Sequence, residues 1–91
     1  MRIYTVSYID TNGREHVVHS GRSYTPFSTE ELGPARAMAT RLENRKRNIT
    51  QILIYECDFE AMHINLMETR MAVREQSDSP TVAWARRTFD D

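Results

Sequence analysis

Glu56, Asp58, Glu60 and His63 form the densest group of side chains with acid-base or metal-binding capacity in the chain. On a strand continuing through Glu60, the three carboxylates would line one face, an array suited to a hard divalent cation and phosphoryl chemistry. A bend after Asp58 would scatter them, and no partner motif completes such a site. The expected state is a solvated strand end with no metal, which makes a divalent-metal-dependent phosphodiesterase the most distant of three functional readings. His16 and His19 are an odd number of residues apart, so on one strand they point to opposite faces and cannot share a metal. Ser20, Ser23 and Ser28 lack the surroundings of a nucleophile. Cys57, the single cysteine, ends an apolar run and is expected to be a buried, inert thiol. Gly13, Gly21 and Gly33 are too dispersed for a phosphate loop. Met62, Met67 and Met71 are read as adaptable core packing. No catalytic residue, cofactor or metal is therefore assigned, and the expectation is a non-enzymatic protein.

The stronger chemical signal is charge. Arg36, Arg41, Arg45, Lys46 and Arg47 fall within twelve residues that hold only Glu43 as an opposing charge, although the chain as a whole carries a net charge of -1. Local positive charge without a positive global field suits docking to an acidic protein surface better than general affinity for polyanions. A second group, Trp84, Arg87 and Phe89, combines aromatic rings and guanidinium in the manner of interface centres. The reading is a protein-interaction or regulatory module that binds a partner through Arg36, Arg41, Arg45, Lys46, Arg47, Trp84, Arg87 and Phe89. The alternative is a nucleic-acid-binding domain using the basic patch over 36–47. Against both stands the plain role of cations near a helix C-terminus, which stabilise the dipole and keep the helix soluble.

These groups must be positioned by a small fold. Ninety-one residues, 40% hydrophobic and 27% charged, make one folded domain, with residues 77–91 as a short C-terminal element beyond Ser77-Asp78-Ser79-Pro80. One cysteine fits a reducing compartment, and neither a signal-peptide core nor a membrane-length apolar run occurs. Cytoplasmic residence without membrane attachment is the expectation.

Residues 2–9 read as a strand, Asn12-Gly13 as a two-residue turn and 14–20 as the returning strand. Pairing Thr11 with Arg14 sets Tyr8 opposite Val17 and puts Tyr4, Val6, Tyr8 and Val17 on the core face, with Ile3, Ile9 and Val18 behind. Ser28 and Glu31 have capping-box spacing, with Phe27 and Leu32 placed as a staple, for a helix from Thr29 to about Arg47. Leu32, Ala35, Met38, Ala39 and Leu42 form its apolar stripe, and Pro34 is tolerated in its first turn. Ile49–Cys57 is apolar on both faces and predicts a central strand. The order gives an α+β class with a β-β-α-β core and strand order 2-1-3. Over 59–76 both a helix and a fourth strand fit, and the Met and Glu content favours the helix. A short terminal helix carrying Trp84 follows.

Overall fold

The computed structural model describes residues 1–21, 25–45, 48–74 and 82–88. It shows an α+β domain in which one helix covers one face of an antiparallel sheet. The elements are β1 (Arg2–Asp10), β2 (Glu15–Val17), β3 (Ser28–Thr29), α1 (Leu32–Arg45), β4 (Ile49–Asp58), β5 (His63–Arg74) and β6 (Val82–Thr88). The sheet runs β2-β1-β4-β5-β6, with β3 also pairing β1. The β-β-α-β core and the placement of β1 between the hairpin partner and the long apolar strand match the sequence reading. No described helix is long and apolar enough to cross a membrane.

The first hairpin closes one residue earlier than expected. Asp10 N–H donates to the Arg14 carbonyl at 2.9 Å, and Gly13 N–H donates to the Asp10 carbonyl at 3.0 Å. Gly13 takes φ 81°, a left-handed conformation that glycine adopts without steric cost. The Asp10 carboxylate accepts the amides of Asn12 and Arg14 at 2.8 and 2.9 Å, so the turn is a three-residue loop stapled by its first side chain. Tyr8 consequently faces His16, and Ser7 faces Val17. A one-residue slip exchanges the faces of the returning chain: Val17 is 44% exposed, and Val18, at 8%, joins the core in its place.

The helix also starts later than its apparent capping box. Ser28 and Thr29 pair with Thr5 and Tyr4 of β1, and the Thr29 hydroxyl accepts the Glu31 amide at 3.3 Å. Strand pairing has taken Ser28 from its expected role as cap, and α1 begins at Leu32. Pro34 remains within the first turn, where its missing amide costs no intrahelical bond. Ala35, Ala39 and Leu42 are buried and meet Val6, Val18, Ile49, Ile52 and Ile54. Small alanines let the helix lie close to the sheet. β4 is central, between β1 and β5, with Ile52 and Ile54 toward the helix and buried Leu53 on the alternate side.

Residues 63–74 and 82–88 are strands, not helices. β5 pairs along nearly the whole of β4, and β6 pairs with β5 from Arg74↔Val82 to Glu68↔Thr88. Sheet pairing overrides the helical propensity of Met and Glu. The misleading periodicity has a local cause: Ile54 faces Glu68 while Tyr55 faces Leu66, so β5 carries an extra residue, a β-bulge. Two of the three methionines assigned to packing are exposed, Met62 and Met71. Cys57 is half-buried instead of buried.

Candidate functional site

Three sides of α1 have different tasks. The inward stripe is apolar. The flank over β5 carries Arg36, Thr40 and Glu43, spaced i, i+4 and i+7, and these meet Glu68 and Arg70 from alternate positions of the strand. The Arg70 side chain is 0% exposed. Its Nε donates to Glu68 at 3.1 Å, its Nη1 to Thr40 Oγ1 at 3.0 Å and to Glu43 at 2.8 Å, and its Nη2 to the Arg36 carbonyl at 3.3 Å. Glu68 also accepts from Arg36 Nε at 2.9 Å. A buried guanidinium is tolerated only with such matched acceptors. Burial pushes the Glu68 carboxyl upward, but the guanidiniums of Arg36 and Arg70 outweigh it and hold the group below its ordinary value.

The outward stripe carries Arg41 and Arg45, four residues apart and both exposed. No ion pair involves either among the described residues. Glu43, the only acid in the segment 36–47, is turned toward Arg70 and neutralises neither. Arg36 is shared between solvent and Glu68, with its side chain 48% exposed. Lys46, Arg47 and Phe89 lie outside the described residues. Arg87 occupies the position opposite Thr69 on β6, and Trp84 faces Ala72. Trp84 is half-buried and packs against the core beside the helix-facing strands, so its ring has a structural use.

The carboxylate group at the end of β4 is dispersed, each member held by a partner of its own. Glu56 is buried and accepts the Tyr4 hydroxyl at 3.1 Å. Asp58 accepts the amides of Glu60 and Ala61 at 3.1 and 3.2 Å and sits 3.4 Å from Arg2. Those amides and the Arg2 charge hold its carboxyl below the ordinary value. Glu60 meets the N-terminal ammonium at 3.3 Å. The chain turns immediately after Asp58, and Met62 adopts φ 55° before β5 begins. Among the described residues, no group of three or more His, Cys, Asp or Glu is arranged to hold a metal ion.

Two polar clusters lay outside the sequence reading. His16 stacks on Tyr8, with ring centroids 4.9 Å apart, and contacts Asp10 through Nε2 at 2.7 Å. The bond to His16 is the first cause of a lowered Asp10 carboxyl. Tyr55 donates its hydroxyl to Glu15 at 2.9 Å, and burial, followed by that carboxylate, pushes the phenol up to about 12. The buried network around Arg70 was also missed. Its available signal was a pair of opposite charges two residues apart, Glu68 and Arg70, which share one face of a strand and none of a helix. No protein family, curated protein or solved structure matches this chain.

Proposed function

We propose that this domain is a non-enzymatic protein-interaction or regulatory module that offers the outward stripe of α1 to an acidic surface on a partner protein. The supporting observation is the separation of charge across the helix. Glu43 and Glu68 are engaged by Arg70 and Arg36, while Arg41 and Arg45 remain exposed with no ion pair among the described residues. Two guanidiniums one turn apart suit a pair of carboxylates on a facing surface, with bidentate geometry available to each. Their contribution would be to orientation and encounter rate as much as to affinity.

A nucleic-acid reading draws on the same stripe and has less support. The net charge is -1, and Tyr4, Tyr8 and Trp84 pack against the core, which withholds them as stacking platforms for bases. Capture of partners from nuclease-treated extract, followed by quantitative binding to the purified partner, separates the two. Arg41→Glu with Arg45→Glu should weaken a purified protein complex by about ten-fold or more while costing the domain no more than about 1 kcal/mol per charge in urea unfolding, the amount a charge near a helix end contributes. Tight, steeply salt-dependent binding to purified DNA or RNA, with no stable protein complex, would replace this reading with the nucleic-acid one. Arg36→Glu is a poor substitute in this test because it also breaks the contact to Glu68.

A further inference from the structure

The flank of α1 opposite the Arg70 network overhangs the first hairpin. At about 100° per residue, Arg36, Thr40 and Glu43 stand to one side of the buried stripe of Ala35, Ala39 and Leu42, and Arg41 and Arg45 stand to the other. The sheet order β2-β1-β4-β5-β6 fixes what each flank meets. The first reaches β5, where Glu68 and Arg70 hold it, and the second leans toward β1 and β2. On that side, between α1 and the hairpin, lies a recess of about 300 Å³ lined by Tyr8, Val17, Val18, His19 and Leu42. Leu42 is one residue after Arg41 and three before Arg45, so the two guanidiniums border its mouth. The recess is apolar where Val18 and Leu42 join the core, and Tyr8 adds a ring backed by the stacked ring of His16. Both acids of the hairpin are engaged, Asp10 by His16 and the amides of Asn12 and Arg14, and Glu15 by Tyr55. Arg41 and Arg45 are exposed, and they make the mouth electropositive.

We infer that this recess seats a bulky apolar side chain of the partner, carried between two carboxylates that pair with Arg41 and Arg45, so that the recognised element is an extended acidic-apolar-acidic segment. The inference rests on the acidic-partner reading and adds the segment through which that partner docks. Four residues of helix separate Arg41 from Arg45 by about 6 Å along the axis. Side chains two residues apart on an extended chain share one face at about 6.6 Å, and the residue between them points the other way. A segment lying along this groove therefore turns both carboxylates toward α1 and the intervening side chain toward the hairpin. A recess of about 300 Å³ is at the lower end for ligand pockets, with room for one large side chain and not for a cofactor. The exposed ion pairs orient the segment, and the seated apolar group supplies the larger share of the affinity.

The test is an amide- and methyl-resolved NMR titration of the full chain at low salt with a short acetylated, amidated peptide that carries Phe between two Glu and Gly at either end. One control peptide replaces Phe with Ala, and a second replaces both Glu with Gln. Saturable shifts should centre on Tyr8, Val18 and Leu42, with contacts from the Phe ring to the Leu42 methyls in nuclear Overhauser spectra, and each control should weaken binding by about ten-fold or more. Arg41→Gln with Arg45→Gln should erase the advantage of the Glu peptide over its Gln counterpart. Retention of that advantage overturns the pairing. Equal binding by the Ala peptide overturns the role of the recess and leaves the acidic-partner reading standing. Absence of saturable shifts at the recess overturns the inference, while capture of a purified partner still decides the basic stripe on its own. Single-stranded DNA that produces the same shifts more tightly and with steep salt dependence would mean that bases fill the recess and phosphates meet the arginines, which also overturns it.

Discussion

Replacing Arg70 with Met should be among the most damaging single changes available outside the apolar core. The substitution roughly preserves length while removing a guanidinium that is 0% exposed and donates to Glu68, Thr40, Glu43 and the Arg36 carbonyl. Breaking one partner of a buried ion pair costs about 3–5 kcal/mol, because the remaining charge stays buried without compensation. Here Arg36 still serves one oxygen of Glu68, so the lower end, about 3 kcal/mol, is expected. At roughly 4–8 °C per kcal/mol for a domain of this size, that is a fall of about 12–24 °C in Tm. Urea unfolding followed by circular dichroism, with Trp84 fluorescence as a second probe, gives the midpoint. Arg70→Met combined with Glu68→Met and Glu43→Met should recover much of the loss, since it replaces Arg70 together with both carboxylates that pair with it, and apolar replacement of a whole buried ionic set is close to neutral. The pH dependence has a definite sign. Glu68 titrates lower in the folded protein than in the unfolded chain, so its contribution is complete above its unfolded value, near 4.5, and is lost as pH falls through the folded value. Arg70→Met should shrink that acid-limb loss. A midpoint equal to the parent's, or an unchanged acid limb in the variant, would refute the assignment of Arg70 as the buried counter-charge.

Two further changes address the core and the hairpin. Leu42→Ala should cost about 2–4 kcal/mol in denaturant unfolding, since Leu42 is buried against the sheet and its removal leaves a cavity under α1; an unchanged midpoint would contradict that packing. His16→Ala should raise the Asp10 carboxyl toward its ordinary value, because the bond to His16 is the first cause of its lowering, and carboxyl-detected NMR titration reads this directly; no upward movement would remove His16 from that role.

The sequence made the apolar half of this fold legible and hid much of the polar half. The stripe Leu32, Ala35, Met38, Ala39 and Leu42 located the helix, and the apolar run after Ile49 located the central strand, because burial imposes a period that composition displays directly. Asn12-Gly13 announced the hairpin, but the Asp10 carboxylate lengthened its loop by one residue and exchanged Val17 for Val18. Ser28 had the spacing of a cap, yet its backbone was worth more to β1. The segment 63–74 was misread because a bulge interrupts its alternation, and Trp84 because β6 depends on that same strand. At the candidate site, exposed Arg41 and Arg45 follow from helical spacing. That Glu43 turns away from them follows only from Arg70, on a strand that the periodicity left undecided against a helix.

The extra residue in β5 acts on side chains as a frameshift acts on codons. Upstream of it, Ile64 and Leu66 share the face opposite Glu68 and Arg70. Downstream, everything is read in the shifted frame, including Ala72 and, through pairing, Trp84. Ironing out the bulge with every residue kept and His63 still opposite Asp58 would therefore do more than straighten a strand, since Met67 would take the place opposite Ile54 and Glu68 the place opposite Leu53. It would turn Glu68 and Arg70 away from the helix, withdraw Glu43's counter-charge and lift Trp84 out of the core. The charge pattern on α1 thus depends on a bulge in a strand remote from it in sequence, and a chain of this architecture lacking Met67 should keep Glu68 opposite Ile54 and Arg70 opposite Ile52 on a straight strand.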